Sequence, residues 1–212
     1  MKLYQLPYSH YSAKVKIVLN EKGIVFDMPD LAPSWLKSDE WLTINPLGKV
    51  PYLEHDGFGI GESEVIVEYL EEVFPQPAML PVDPRQRAES RWLSRFHDLY
   101  LGPQLSTLYF ALSDGRAQQP DFAVEVDRLY QLLDILESRI SPSPFFFGVN
   151  FGLADASYCL SYKYILMLST AYGRPVDPAK VIPKLGDWFA HASQRPSVAE
   201  VIAAAEAALA GS

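Results

Sequence analysis

Residues 45–70 read NPLGKVPYLEHDGFGIGESEVIVEYL, and the order of signals in this stretch decides the architecture of the first half of the chain. Two short β runs, 51–54 and 58–60, flank His55-Asp56-Gly57, where Asp-Gly signals a tight antiparallel turn. Glu62 and Ser63 then open a helix on which Val65, Ile66, Tyr69, Leu70, Val73 and Phe74 recur at helical spacing. A cis bond between Val50 and Pro51 would turn the N–H and C=O of Val50 outward for an extended ligand. An ordinary trans proline at a strand start is the plainer alternative. At the helix start, free N–H groups and the helix dipole favour an anion, to which Ser63 adds a hydroxyl, while Glu62 suits a neighbouring ammonium. Simple capping is the plainer alternative there. Together these features predict a site that holds a small peptide by its main chain and its carboxylate.

Upstream, residues 2–6 read as a short strand stopped by Pro7. Ser12 is placed to cap a helix with Val15, Val18 and Leu19 on its apolar side and Gly23 as its terminator. Residues 24–28 read as a second short strand, and Trp35, Leu36 and Trp41 as a short or irregular helix. Strand, helix, strand, helix, hairpin and helix fit a small α/β domain. Pro75, Pro77, Pro81 and Pro84 then mark a linker, beyond which strand signals stop. Trp92, Phe96, Leu99 and Pro103 begin a long helical stripe, and Phe122, Val126, Leu129, Leu133, Leu136 and Ile140 form another. Residues 154–168 are apolar almost all round, as in a helix buried at the centre of a bundle, and two further helices fit 182–192 and 198–209.

The 212 residues suffice for one large domain or two small ones, and 49% hydrophobic content is that of an ordinary globular protein. A net charge of −8 argues against nucleic acid or an anionic membrane as partner. The N-terminus has no signal-peptide run, and no apolar stretch is long enough to span a bilayer, so a cytoplasmic location is expected. Cys159 is the only cysteine, which excludes a disulfide framework, a CxxC pair and a cysteine-rich zinc site. His10, His55, His97 and His191 lack metal-ligand spacing, and no metal is expected. Gly48-Lys49 lacks the glycine spacing of a P-loop, and no G-x-S-x-G elbow is present. Ser9 lies between the first strand and the first helix, at that helix's positive end, where a hydroxyl can donate to a thiolate. Such a bond, worth about 1.5–3 kcal/mol, lowers a thiol pKa by about one to two units. A loop serine or cap is the plainer reading, and Ser12 competes for the role.

The segments YSHYSAKVKIVLNEKG, NPLGKVPYLEHDG, GESEVIVEYLEE and FGLADASYCL together resemble the cytosolic glutathione transferases over essentially the whole chain. The resemblance implies a thioredoxin-like α/β N-terminal domain over 1–76, a linker at 77–84 and an all-α helical-bundle domain over 85–212. It implies glutathione as co-substrate, its cysteinyl backbone paired to Val50 beside a cis Pro51. The γ-glutamyl end would sit on Glu62 and Ser63, with Lys49 facing the glycyl carboxylate. The tyrosine-type catalytic position is Gln5 here, and Tyr4 should face the other side of the strand. Ser9 falls at the serine-type position, so a bacterial-type, serine-type enzyme is expected, with Ser9 stabilising a thiolate that attacks a mostly apolar electrophile. Tyr8, His10, Tyr11, Tyr100, Gln104, Tyr109 and Phe110 are candidate walls for that second substrate, and Tyr11, His10 or Ser12 are alternative activators.

The resemblance also implies a homodimer. Three departures stand out. Ser9-His10-Tyr11-Ser12 differs from the serine-serine-cysteine run of the zeta-class isomerases. Gly152 stands where many members cap a helix with Ser or Thr, leaving Asp155 to bind the free N–H groups. Glu64 replaces a basic residue of some classes, which is expected to weaken glutathione affinity. The alternatives to a transferase are a non-catalytic relative used for binding or regulation, and another glutathione-dependent reaction: peroxide reduction, dehalogenation or isomerisation.

Overall fold

The computed structural model describes residues 1–117, 119 and 121–210. Its first part is a three-stranded antiparallel sheet, β1 (Lys2–Tyr4), β2 (Tyr52–His55) and β3 (Phe58–Gly61), in the order β1-β2-β3. Leu3 pairs with Leu53 and Leu53 with Ile60, so one apolar row runs across the sheet. Asp56 and Gly57 both hold positive φ, 49° and 81°, as the two-residue turn between twisted strands requires.

The expected strand at 24–28 is not formed. Asp27 makes a single parallel bridge to Lys2, with Leu3 N–H donating to Asp27 C=O at 2.9 Å. Val25 is 91% exposed, so the segment has no covered face to hold a longer pairing.

Helix α1 (His10–Glu21) and helix α3 (Ser63–Val73) pack together against the sheet. Between them, a 3-10 turn (Pro33–Lys37) and helix α2 (Asp39–Ile44) bury Trp41, as the tryptophan cluster suggested. Ser9, not Ser12, caps α1: its Oγ accepts the Ser12 N–H at 3.2 Å, while Ser12 itself is fully buried. One turn earlier, Ser9 is the residue with the extended backbone that a cap needs. Gly23, at φ +63°, ends the helix as expected.

The second part is helical: α4 (Pro84–Phe96), α5 (Gly102–Ser113), α6 (Asp121–Arg139), α7 (Leu153–Ala171), α8 (Pro178–Val181), α9 (Pro183–Ala192) and α10 (Pro196–Ala210). Helix α7 is buried on nearly every side, packed by α1, α4, α5, α9 and α10. The heptad-like row of α6, from Phe122 to Ile140, is buried throughout.

The stripe from Trp92 to Pro103 is not a core face. Residues His97–Leu101 form a π turn closed by Gly102 N–H on His97 C=O. Pro103 has no N–H for the ordinary ladder, so the wider turn takes the break and rotates the helix face. Phe96 stays buried, but Trp92 and Leu99 emerge into solvent, and Leu93, Leu101 and Leu105 fill the core instead.

Candidate active site

Two clefts meet where α1, the 45–51 loop, α3 and the π turn converge. Each holds about 260 Å³. Tyr11, Lys49 and Val50 border both.

The more polar cleft is lined by Asn45, Pro51, Glu62, Ser63, Arg95 and Asp98 as well as the shared residues. Its loop is fixed by Asn45, whose Nδ2–H donates to Lys49 C=O at 2.8 Å and whose Oδ1 accepts the Leu47 N–H at 3.3 Å. Gly48 follows at φ +61°, where a Cβ would lie 3.0 Å from the Leu36 carbonyl oxygen. The Val50–Pro51 bond is cis, and the N–H and C=O of Val50 have no partner among the described residues. Ser63 opens α3, so its neighbouring N–H groups face the cleft with Glu62 immediately before them. Those features bring together an outward main chain, a helix N-terminus, a hydroxyl and a carboxylate. Lys49 supplies an exposed cation at the rim.

Ser9 lies in the second, more apolar cleft with Leu6, Tyr8, Leu36, Leu105, Tyr109 and Phe110. Its loop is tied on two sides: Ser9 N–H donates to Leu6 C=O at 3.0 Å, and Tyr164 Oη donates to Tyr8 C=O at 2.7 Å. Because Ser9 Oγ accepts from Ser12 N–H, its own proton remains available for an anion at the positive end of α1. Tyr11 lies across Gly102, where an added Cβ would sit 2.6 Å from the phenol oxygen. Burial, and then the Asp98 and Glu62 carboxylates, raise the Tyr11 phenol above its ordinary value, so it faces the site as a neutral donor. Tyr4 points away, as expected: its Oη donates to Glu54 at 3.2 Å and its ring packs on Trp41.

Behind the clefts lies a buried ionic floor. Lys14, fully buried, pairs with Glu64 and with Asp98 at 3.2 Å. Ser94 Oγ donates to Glu64 at 2.7 Å, and His97 uses Nδ1 for Asp98 at 2.9 Å and Nε2 for Ser161 at 2.8 Å. Burial pushes the Asp98 carboxyl up, but His97 and Lys14 outweigh it and hold that group down at about 2. Glu64 is thus committed to Lys14 and Ser94, away from the polar cleft, which removes the reason to expect it to repel a bound peptide.

Two expected wall residues lie elsewhere. Tyr100 is half exposed within the π turn and packs on Phe96, because the wider turn rotates it out of the cleft. Gln104 is buried and its Nε2 donates to Glu125 C=O at 2.9 Å and Oε2 at 2.8 Å, clamping α5 to α6. Tyr8, His10, Tyr11, Tyr109 and Phe110 do line the cleft. Ser106, Tyr164, Arg95 and Asp98 border the clefts without having been singled out in the sequence; α5, α7, α4 and the π turn respectively bring them there. The scattered His10 and His97 come to 5.4 Å between ring centres, yet among the described residues no cluster of metal-ligating side chains forms.

Residues 3–78 match the family model described as the glutathione S-transferase N-terminal domain. A probable glutathione S-transferase from Nicotiana tabacum is 30% identical over 189 residues, covering 89% of this chain and 81% of that protein. The crystal structure of a Tau class glutathione S-transferase from mango, Mangifera indica, superposes with a TM-score of 0.82 at 28% identity, covering 98% of this chain and 96% of the other. The β-etherase LigF from Sphingobium superposes with a TM-score of 0.81 at 28% identity, covering 94% of this chain and 97% of the other. A thioredoxin-like unit with a cis proline near the start of a helix, backed by a helical bundle, defines the class. The chain belongs to the glutathione S-transferase family.

Proposed function

We propose that the protein is a glutathione transferase of the serine type, in which the polar cleft binds glutathione and Ser9 donates a hydrogen bond to its thiolate. The thiolate then attacks an electrophilic carbon of a mostly apolar substrate in the adjoining cleft. In this reading the cysteinyl backbone pairs with Val50 beside Pro51, the γ-glutamyl end meets Glu62, Ser63 and Asp98, and Lys49 takes the glycyl carboxylate. One observation carries the reading: the Ser9 hydroxyl is anchored as an acceptor by Ser12 N–H, keeps its proton, and lines the apolar cleft together with Tyr11, Lys49 and Val50, the residues that border both clefts.

His10 and Ser12 are poorer activators. Ser12 is fully buried, and burial together with His97 lowers His10 to about 3, leaving it a neutral ring. The intact Ser9, Glu62 and Ser63 arrangement weighs against a non-catalytic relative. A bacterial-type grouping has the LigF likeness on its side and the tobacco and mango relatives against it. Residues 1–76, 77–84 and 85–212 are assigned as glutathione-binding domain, linker and second-substrate domain, in a cytoplasmic homodimer.

The test is the ultraviolet thiolate absorbance of bound glutathione as a function of pH. Ser9→Ala should raise the thiol pKa by about one to two units and depress turnover accordingly. An unchanged pKa removes Ser9 from the role. A second reading, cleavage of an ether by the same thiolate, is favoured by the 41% identity to LigF over 115 residues. Release of a phenol from an aryl ether in the presence of glutathione would establish it.

A further inference from the structure

Ser106, on the inner face of α5, is a half-buried hydroxyl in the apolar cleft that also holds Ser9. Several helical serines here spend their proton on a preceding carbonyl, as Ser113 does on Phe110 and Ser157 on Leu153. Ser106 makes no such bond among the described residues. Its one polar partner among those residues is His10 Nε2, at 3.3 Å.

The His10 ring settles which way that bond runs. His10 is 7% exposed, hemmed in by Tyr11, His97 and Tyr164, and its Nδ1 has no hydrogen-bond partner among the described residues. A buried N–H left without an acceptor costs more than a bare ring nitrogen, and orphaned buried N–H groups are the rarer case. The proton therefore belongs on Nε2, which donates to Ser106 Oγ. The low basicity of this ring, about 3, keeps it neutral at physiological pH. With its oxygen accepting from His10, Ser106 has its own proton directed into the cleft.

We propose that Ser106, oriented by His10, donates a hydrogen bond to a substrate oxygen that gains negative charge as the carbon–sulfur bond forms, which fits the cleft to aromatic α,β-unsaturated ketones. This rests on the glutathione transferase reading and names the substrate class of that site. The glutathione sulfur bonds to the β-carbon, the alkene π pair shifts to make an enolate, and its oxygen takes the Ser106 hydrogen bond. A proton from water then completes the thioether ketone at the α-carbon, with no leaving group. The surrounding Leu105, Tyr109 and Phe110 suit an aryl group. Ser106 is then a catalytic residue and His10 a positioning residue.

The test compares benzylideneacetone, an aryl enone, with benzyl bromide, an aryl electrophile without oxygen, both with glutathione. Ser106→Ala should lower kcat/KM for the enone about tenfold and leave benzyl bromide within about twofold. Ser106→Thr should keep the enone rate, whereas the equally shaped Ser106→Val should lose it. His10→Phe should reproduce the enone-selective loss without changing the KM for glutathione. Equal enone rates for the Thr and Val variants, or equal losses with both electrophiles, overturn the assignment while leaving the transferase reading intact. Failure of the unaltered protein to conjugate either electrophile counts against both.

Discussion

Glu62 holds φ at +65° and ψ at 113°, a region open to glycine and costly for any residue with a side chain. The helix that follows makes no use of its carboxylate as a cap. Strain kept without local return is a mark of a binding residue, here one whose carboxylate borders the polar cleft. Glu62→Gly should therefore stabilise the fold by about 1 kcal/mol, read by chemical denaturation, while weakening retention on immobilised glutathione. A variant that is less stable, or binds as before, would contradict this. The place of Glu62 and Ser63 at a helix start was legible in the sequence because helix starts have a local signature. Ser106 and Asp98 were not, because their place depends on partners far along the chain: His10 lies 96 residues from Ser106, and Lys14 lies 84 from Asp98.

Among the elements, the start of α7 shows Asp155 binding free N–H groups as its sequence suggests, and more of them than one helix start supplies. Asp155 Oδ2 accepts the Gly152 N–H at 2.8 Å, while its Oδ1 accepts the Phe146 N–H at 3.0 Å and the Trp188 Nε1–H at 2.6 Å. One carboxylate therefore organises three segments, although burial pushes it up to about 6. Gly152 cannot return the other half of a capping box. Its backbone is ordinary and extended, so conformation does not demand glycine; space does. A Cβ at 152 would stand 2.8 Å from the Met79 carbonyl oxygen. In an open helix start, Gly152→Ser would change stability by only a few tenths of a kcal/mol. Here it should instead lower the melting temperature, because the backbone at Met79 has to move; a rise would refute the steric account. Sequence pattern gave the helices well, since amphipathic periodicity is local, and missed the π turn because its effect is a rotation of face rather than a loss of helix.

At the scale of the whole molecule, apolar side chains remain uncovered on α3 and α4. Val65 is 49% and Trp92 39% exposed, on the two helices joined by the Arg91–Glu68 pair at 2.7 Å. A homodimer that covers this face is the expected assembly. Light scattering should give twice the mass of one chain, and Val65→Glu with Trp92→Glu should return it to one. A monomeric unaltered protein would refute the assembly.

The proline-rich segment between α3 and α4 looked in the sequence like a tether. In the fold it is fastened at several points. Lys22 Nζ donates to Phe74 C=O at 2.7 Å and Pro77 C=O at 3.0 Å, and Glu71 accepts the N–H groups of Met79 and Leu80. Leu153 N–H in turn donates to Met79 C=O at 3.0 Å. A strap held to α1, α3 and α7 is not a hinge, and nothing in it provides for a closing motion between the halves. The spacing of the two clefts is then set when the chain folds, and the entropy lost in aligning two reactants is offset by their binding to a fixed scaffold, with no further cost for closing a hinge.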